Sequence, residues 1–121
     1  MARKGPVRRV NVRDKSINIG VIGCGAQGQS HLRAIKELGL EVAVVRAFCD
    51  LSVERLQSAK ELWPQAQATD NFKKMLDTDS FDLVIVATMP NTHAQMTLAA
   101  LESGADVLCE KPFMRNVEEA E

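Results

Sequence analysis

The chain has 121 residues, of which 45% are hydrophobic and 26% charged, the composition of one small globular domain. No apolar run reaches the roughly 18 residues that a membrane-spanning helix needs, and the basic N-terminus is not followed by the apolar core of a secretory signal. The net charge of −1 does not favour nucleic acid or a membrane as a partner.

Charge is distributed unevenly along the chain. Residues 1–16 carry six basic side chains and one acidic one, so the remaining residues sum to −6. A basic arm can bind nucleic acid, but this segment has no aromatic residue and contains Gly5-Pro6. We therefore expect residues 1–16 to form a flexible, solvated leader and residues 17–121 to form the folded domain.

After the leader, short apolar runs alternate with amphipathic stretches, which is typical of strands alternating with helices. The predicted elements, in chain order, are a strand over residues 17–22, a helix over 27–38, a strand over 42–49, a helix over 53–62, a stub strand near 68–69, a helix over 72–76, a strand over 83–87, a helix from 92 to 103, a strand over 106–109 and a helix that opens at 116. Continuously apolar strands indicate a parallel sheet covered on both faces.

Cap and turn residues set several of these boundaries. Gly39 ends the first helix, Ser52 can cap the second, and Pro64 ends it because proline disfavours the α conformation in the preceding residue. Thr92 with Gln95 has the spacing of a capping box, so the fourth helix is predicted to begin at Thr92.

Residues 23–28 read GCGAQG, a GxGxxG that directly follows the first predicted strand and opens the first predicted helix. This context is typical of a dinucleotide-binding loop. Gly23 permits a tight turn, Gly25 leaves room for the pyrophosphate, and Gly28 lets helix and strand approach closely. The helix N-terminus offers N–H groups and a positive dipole end to the phosphates. The predicted cofactor-binding residues of this loop are Gly23, Cys24, Gly25, Ala26, Gln27 and Gly28.

An acidic residue follows the second predicted strand. Asp50 lies 22 residues beyond Gly28, close to the roughly 20-residue spacing of a carboxylate that binds the adenosine ribose. Because such a carboxylate accepts hydrogen bonds from ribose hydroxyls and repels a 2′-phosphate, NAD is the predicted cofactor and NADP the alternative. Arg55, on the following helix, can weaken this preference.

Residues 84–112, VIVATMPNTHAQMTLAALESGADVLCEKP, together with GCGAQG and the AFCD ending at Asp50, resemble the glucose–fructose oxidoreductase/inositol dehydrogenase family of NAD(P)-dependent oxidoreductases. The resemblance covers residues 17–121, and its most specific piece is Glu110-Lys111-Pro112 at this distance from His93. It implies an α/β fold of the Rossmann type, a doubly wound, mainly parallel sheet with helices on both faces. The last strand and the second domain of that family are expected to be missing.

The resemblance also implies roles for individual residues. In the family, the turn after the fourth strand passes close to the cofactor, and the matching positions here are Ala87, Thr88, Pro90 and Asn91. His93 matches the family histidine that begins the next helix, although a histidine in a first helical turn can also cap or pack. Lys111 is the implied catalytic residue at the nicotinamide and the substrate hydroxyl, with Glu110 on the nicotinamide ribose. Met89-Pro90 stands where the family more often has Pro-Asn, so the backbone group that meets the ribose stays open.

The implied activity is hydride transfer between a nicotinamide cofactor and a sugar, cyclitol or related secondary alcohol. Because the family takes most substrate contacts from a second domain, this chain is expected to bind the cofactor without turnover. One alternative is a stand-alone nucleotide-sensing regulatory module of the potassium-channel type. A methyltransferase binding S-adenosylmethionine is another, since it also uses a glycine loop and an acid. Neither alternative accounts for the Glu-Lys-Pro segment, which therefore argues against both.

The cysteines bear on metal binding and on the cellular compartment. Cys24, Cys49 and Cys109 are an odd number without metal-ligand spacing, so neither a disulfide framework nor a metal site is predicted. Reduced thiols used as small apolar residues fit a cytoplasmic protein, and redox sensing is the alternative because all three follow or end predicted strands. An uncovered sheet edge makes homo-oligomer formation a further hypothesis.

Overall fold

The computed structural model describes residues 16–109, apart from the side chains of Pro90 and Asn91. Its elements, in chain order, are β1 (Ile17–Ile22), α1 (Ala26–Leu38), β2 (Ala43–Cys49), α2 (Val53–Leu62), β3 (Gln67–Thr69), α3 (Phe72–Thr78), β4 (Leu83–Val86), α4 (Pro90–Glu102) and β5 (Asp106–Cys109). Strands and helices therefore alternate as predicted. The predicted final helix, and all of the predicted leader except Ser16, lie outside the described residues.

The strands form one parallel sheet in the order β3-β2-β1-β4-β5. The chain runs outward from β1 to β3 and then returns to place β4 on the other side of β1. With right-handed crossovers, this reversal puts the connecting helices on opposite faces of the sheet. The predicted doubly wound α/β fold is confirmed.

Two apolar cores lie on the two faces of the sheet. One joins α1 and α2 to the sheet through residues such as Leu32, Ala59 and Phe48, and the other joins α3 and α4 through Met75 and Ala100. The last four residues of β1 and the last three of β4 are all buried. A strand covered on both faces cannot alternate apolar with polar residues, which explains the continuous apolar runs in the sequence.

Trp63 anchors the end of α2 against α1. Its indole ring is buried, and its Nε1–H donates a hydrogen bond to the Leu32 carbonyl at 3.0 Å, so burial leaves the indole nitrogen satisfied. The Lys36 ammonium lies 5.0 Å from the ring centroid and covers the outer face of the ring. The two helices are thus held together at the point where Pro64 ends the second.

The strand register brings the carboxyl ends of the strands to one edge of the sheet. Ile22 pairs with both Cys49 and Val86, Cys49 pairs with Thr69, and Val86 pairs with Cys109. Each of these five residues is the last of its strand. The loops that follow the strands therefore gather at the same edge, where open parallel sheets bind ligands.

A bulge interrupts the pairing of β1 and β2 nearer their amino ends. The register shifts between Ile19 and Gly20, where Arg46 is the additional residue of β2. The Arg46 side chain is exposed, and its Nε–H donates to Asn18 Oδ1 at 3.0 Å. The remaining residues of the two strands pair in step up to their carboxyl ends.

Helix α4 begins earlier than predicted, and the predicted capping box at Thr92 and Gln95 is wrong. Pro90 is the first helical residue, and Met89 is the N-cap without a side-chain hydrogen bond. Proline suits this position because its fixed φ is helical and its missing N–H would have no intrahelical acceptor. Thr92 Oγ1 instead lies within the first turn, 2.9 Å from the Met89 carbonyl oxygen. The other boundaries agree with the structure to within two residues.

Across residues 16–109, no helix combines the length and the apolarity that a membrane crossing requires.

Replacing Leu32 by alanine tests the core between α1 and the sheet. Leu32 is fully buried, so Leu32→Ala is expected to lower the free energy of unfolding by about 3 kcal/mol through lost burial and the cavity it leaves. Leu38→Ala on the same helix is the matched control, because Leu38 is 57% exposed, and it should cost less than about 1 kcal/mol. Urea denaturation measures both, and equal losses would contradict the assignment of this core.

Candidate functional site

The loop between β1 and α1 can be built only with glycine at Gly23 and Gly28. Gly23 has a φ of 101°, and a Cβ there would lie 2.6 Å from the Ala87 carbonyl oxygen. A Cβ on Gly28 would overlap the carbonyl oxygen of Gly23. Gly28 thus lets the first turn of α1 pack against the end of β1, and Gly23 lets the loop between them pack against the turn after β4.

Gly25 differs from these two glycines because the protein leaves space around it. A Cβ on Gly25 would meet Arg55 Nη1 as its nearest neighbour, at an ordinary contact distance of 3.5 Å. Its φ of −75° is one that any residue adopts. Packing and backbone conformation therefore do not require glycine here. The opening above Gly25 fits the close approach of a pyrophosphate that the motif predicts.

The electrostatics of the first turn of α1 favour an anion. Gly25 is the N-cap and has no side chain to accept a hydrogen bond, and the first turn contains no acidic residue. The first N–H groups of a helix have no intrahelical acceptors, and the helix dipole adds partial positive charge there. A cavity of about 380 Å³ opens beside this turn, lined in part by Gly25, Gln29, Arg33 and Arg55.

Asp50 lies directly after β2, and its carboxylate is hydrogen-bonded within the protein. Oδ2 accepts a hydrogen bond from the Cys24 N–H at 2.7 Å, and Oδ1 accepts one from the Ser52 N–H at 2.8 Å. The side chain is only 9% exposed. Because each carboxylate oxygen can accept more than one hydrogen bond, these contacts leave acceptor capacity for ribose hydroxyls.

Arg55 stands over the same region from the first turn of α2. Its Nη1 lies 3.9 Å from Asp50 Oδ2, and its side chain is 61% exposed. The Arg55 N–H donates to Ser52 Oγ at 3.3 Å, which is the N-cap hydrogen bond of α2 that the sequence predicted. The guanidinium is therefore placed between the acid and the Gly25 opening, where it offsets part of the charge of Asp50.

The turn after β4 contacts the glycine loop. The Ala87 N–H donates to the Ile22 carbonyl at 2.8 Å, and the Ala87 carbonyl oxygen faces Gly23. Thr88 is half-buried and follows in the same turn. The structure thus brings residues 23–28, Asp50, Ala87 and Thr88 together, and their predicted contacts with the cofactor stay predictions.

The His93 side chain points into the protein. It is only 1% exposed, and its Nε2 is hydrogen-bonded to the Thr88 carbonyl. This contact holds the turn after β4 onto the first turns of α4 and favours a packing role over direct contact with a ligand. The predicted cofactor contact of His93 stays a prediction.

Four predicted site residues cannot be placed in the same detail. Pro90 and Asn91 belong to the first turn of α4, at the edge where the loops gather. Glu110 and Lys111, the implied ribose and catalytic residues, lie outside the described residues. β5 ends immediately before Glu110 at this same edge.

Two of the three cysteines lie beside Asp50. Cys24 and Cys49 are buried, and Cys24 Sγ is 3.7 Å from the Cys49 carbonyl oxygen. Burial, together with the smaller effect of the Asp50 charge, raises the pKa of Cys24 to about 12 and that of Cys49 to about 11. Both thiols are therefore protonated and unreactive at neutral pH, which favours packing over redox sensing. Among residues 16–109, no three potential ligands are grouped to hold a metal ion.

Sequence reasoning missed the hydrogen bond from the Cys24 N–H to Asp50, which joins two loops that are far apart along the chain. A partial signal was present. An aspartate two residues before a capping serine is typical of an Asx-turn, and Asp50 with Ser52 forms one. No local pattern, however, indicates a bond to a residue 26 positions away.

Fold and site together define a dinucleotide-binding domain. Over residues 17–121 the chain matches the profile of the oxidoreductase family with an NAD-binding Rossmann fold. The chain belongs to this family, and NAD is the cofactor of its Rossmann domain.

Curated relatives point to the same family. The inositol 2-dehydrogenase of Acidiphilium cryptum is 37% identical over 99 residues, which cover 81% of this chain and 29% of that protein. The inositol 2-dehydrogenase of Klebsiella pneumoniae is 33% identical over 104 residues, which cover 85% of this chain and 31% of that protein. The chain thus spans about 30% of the length of these relatives.

Solved structures agree in fold. Scyllo-inositol dehydrogenase from Lactobacillus casei with bound NAD(H) and scyllo-inositol has a TM-score of 0.79 and 27% identity, covering 87% of this chain and 31% of that one. The WlbA dehydrogenase from Bordetella pertussis in complex with NADH and UDP-GlcNAcA has a TM-score of 0.80 and 28% identity, covering 87% of this chain and 32% of that one.

The buried thiols predict an alkaline loss of stability. In the unfolded chain Cys24 ionises near its ordinary pKa of 9.0, whereas in the folded chain its pKa is about 12. The unfolded state thus loses this proton first, and the free energy of unfolding falls as the pH rises through that window, with no effect below it. Cys24→Ala should reduce the slope of this fall.

Urea denaturation at several pH values between about 8.5 and 10.5 measures the slope. Cys109→Ala is the control, because it leaves both buried thiols in place, and it should keep the wild-type slope. A Cys24→Ala slope equal to that of the wild type would contradict the assigned burial of this thiol.

Proposed function

We propose that this chain is the cofactor-binding part of a dehydrogenase that transfers hydride between NAD and a sugar, inositol or related secondary alcohol. The observation that carries the proposal is the opening at Gly25. Glycine there is required neither by the backbone, with φ −75°, nor by packing, with the nearest contact at 3.5 Å. A ligand that needs the space accounts for the glycine.

The neighbouring groups support NAD as that ligand. The uncapped first turn of α1 offers N–H groups and positive dipole charge to a pyrophosphate. Asp50 stands beside this turn with acceptor capacity for ribose hydroxyls. Ala87 and Thr88 border the loop from the other side of β1 and are proposed to contact the adenosine half.

Substrate and chemistry are proposed from the relatives. Several are inositol 2-dehydrogenases, and solved neighbours hold scyllo-inositol or UDP-GlcNAcA. NAD, when bound, supplies a nicotinamide ring that accepts a hydride. We assign Lys111 to removal of the alcohol proton and Glu110 to the nicotinamide ribose, on the resemblance of the Glu-Lys-Pro segment to the family.

The isolated chain is proposed to bind NAD without turnover. Relatives with dehydrogenase activity are about three times as long, and in the family most substrate contacts come from a second domain. Alcohol-dependent reduction of NAD by this chain alone, with inositols or sugars as substrates, would contradict this proposal.

Two further predictions concern cellular context. A cytoplasmic location is supported by Cys24 and Cys49, two buried thiols used as small apolar residues. Homo-oligomer formation is supported by the exposed leucines of α4 and β5, which are Leu98, Leu101 and Leu108. Sedimentation at increasing concentration tests the second, and a clean monomer throughout would contradict it.

Filling the opening tests the proposed pyrophosphate contact. Gly25→Val is expected to weaken NADH binding at least about tenfold, since blocking a single charge-assisted hydrogen bond to phosphate already has a cost of this order. Its free energy of unfolding should fall by about 1 kcal/mol, the cost of a poor N-cap residue, because the φ of −75° is not left-handed and only Arg55 stands nearby. Calorimetric titration gives the affinity.

Ala34→Val is the matched control, because Ala34 is an exposed residue of the same helix and lies outside the proposed site. It should leave NADH affinity unchanged. If Gly25→Val folds normally and binds NADH as the wild type does, the opening is not the pyrophosphate site.

Cofactor preference provides a second test. Titration of the folded chain with NADH and NADPH is expected to show NADH binding at least about tenfold tighter, because Asp50 repels a 2′-phosphate. Arg55→Ala should increase this ratio, since it removes the cation 3.9 Å from the carboxylate. Tighter binding of NADPH would mean that Asp50 does not face the ribose.

A further inference from the structure

The carboxylate of Asp50 joins two separate turns at the edge of the sheet. It accepts a hydrogen bond from the Cys24 N–H in the glycine loop at 2.7 Å and one from the Ser52 N–H in the β2–α2 turn at 2.8 Å. The residue is itself tied to β3, because its own N–H donates to the Thr69 carbonyl at 3.1 Å. One side chain therefore links the loops that follow β1 and β2.

These bonds determine the course of the glycine loop as it leaves β1. The Gly23 N–H donates to the Cys49 carbonyl at 2.7 Å, so the peptides of Gly23 and Cys24 are both held by the end of β2. The Cys24 N–H is consequently directed to the carboxylate and away from any ligand over Gly25. The part of the loop that can face an anion begins at Gly25.

We propose that Asp50 is a positioning residue for the glycine loop, in addition to its predicted contact with the ribose. By holding the Cys24 N–H, its carboxylate orients the peptide that precedes Gly25, and with it the first N–H groups of α1 that meet the pyrophosphate. The proposal rests on the proposed function of this loop in binding NAD. It adds that Asp50 supports phosphate binding even when no ribose hydroxyl is present.

The geometry requires a carboxylate. Both oxygens of Asp50 accept from backbone N–H groups, and the side chain is 9% exposed. In Asp50→Asn, whichever way the amide is turned, its NH₂ group faces one of these two donors. One of the two bonds is therefore lost although the shape of the side chain is kept.

The test compares two ligands that differ only in the ribose hydroxyls, ADP and 2′,3′-dideoxy-ADP. If Asp50 positions the loop, Asp50→Ala, which removes both bonds, weakens binding of both ligands, with a loss of about tenfold for the dideoxy compound. If Asp50 only binds ribose, its variants weaken binding of ADP alone, and affinity for the dideoxy compound stays at the wild-type value. That second result would overturn the proposal.

Two control variants separate positioning from simpler effects. Ser52→Ala removes the side-chain cap of α2 but leaves the bond between Asp50 and the Cys24 N–H. Asp77→Asn removes one exposed negative charge on α3, away from the loop. Both should bind 2′,3′-dideoxy-ADP with wild-type affinity. A loss in Ser52→Ala equal to that in Asp50→Ala would assign the effect to the α2 cap and overturn the proposal.

Amide hydrogen exchange at Cys24, followed by NMR, tests the positioning without any ligand. Asp50→Ala should speed exchange of this amide about tenfold or more while leaving the Val21 amide in β1 protected. Unchanged exchange at Cys24 in Asp50→Ala would overturn the proposal. Failure of the wild-type chain to bind NADH or ADP would instead contradict the proposed function, and the exchange result would still decide the role of Asp50.

Discussion

The contact between the first turn of α1 and the end of β1 is the constraint on which the rest of the site depends. Gly28 packs so closely on the Gly23 carbonyl that no Cβ can stand between them. This approach places the N-terminus of α1 directly above the carboxyl end of β1. Any larger residue would push the helix outward, and the N–H groups and dipole at its start would no longer point to the edge where the loops gather.

The parallel register extends this local contact to the whole sheet. Because Ile22 pairs with the last residues of both β2 and β4, the loops after these strands flank the glycine loop. The strands are added first on one side of β1 and then on the other, so the crossover helices lie on opposite faces of the sheet. They therefore do not fill the space above the strand ends. The result is an edge lined by backbone groups and a few polar side chains, supported by two apolar cores.

Asp50 is the acidic residue at this edge that binds the glycine loop directly. Asp50 is mostly buried, yet its hydrogen bonds to two backbone N–H groups and the nearby Arg55 compensate its desolvation. The same charge, together with burial, keeps Cys24 and Cys49 protonated. These two thiols behind the glycine loop therefore serve as packing groups.

The sequence by itself determined the strand and helix order, the parallel sheet, and the pairing of a glycine loop with an acid after the next strand. These follow from local rules, since apolar periodicity and glycine spacing act within one strand–helix–strand unit. The prediction that α4 begins at Thr92 is wrong. Pro90 occupies the first helical position, which its fixed φ favours more than the side chain of Thr92 favours a cap.

Only the tertiary structure decided that Gly25 has open space, that His93 is buried against the Thr88 carbonyl, and that Asp50 binds the Cys24 N–H. Each depends on contacts between segments distant in sequence or on the packing of a helix against the sheet. A one-dimensional pattern does not contain these distances.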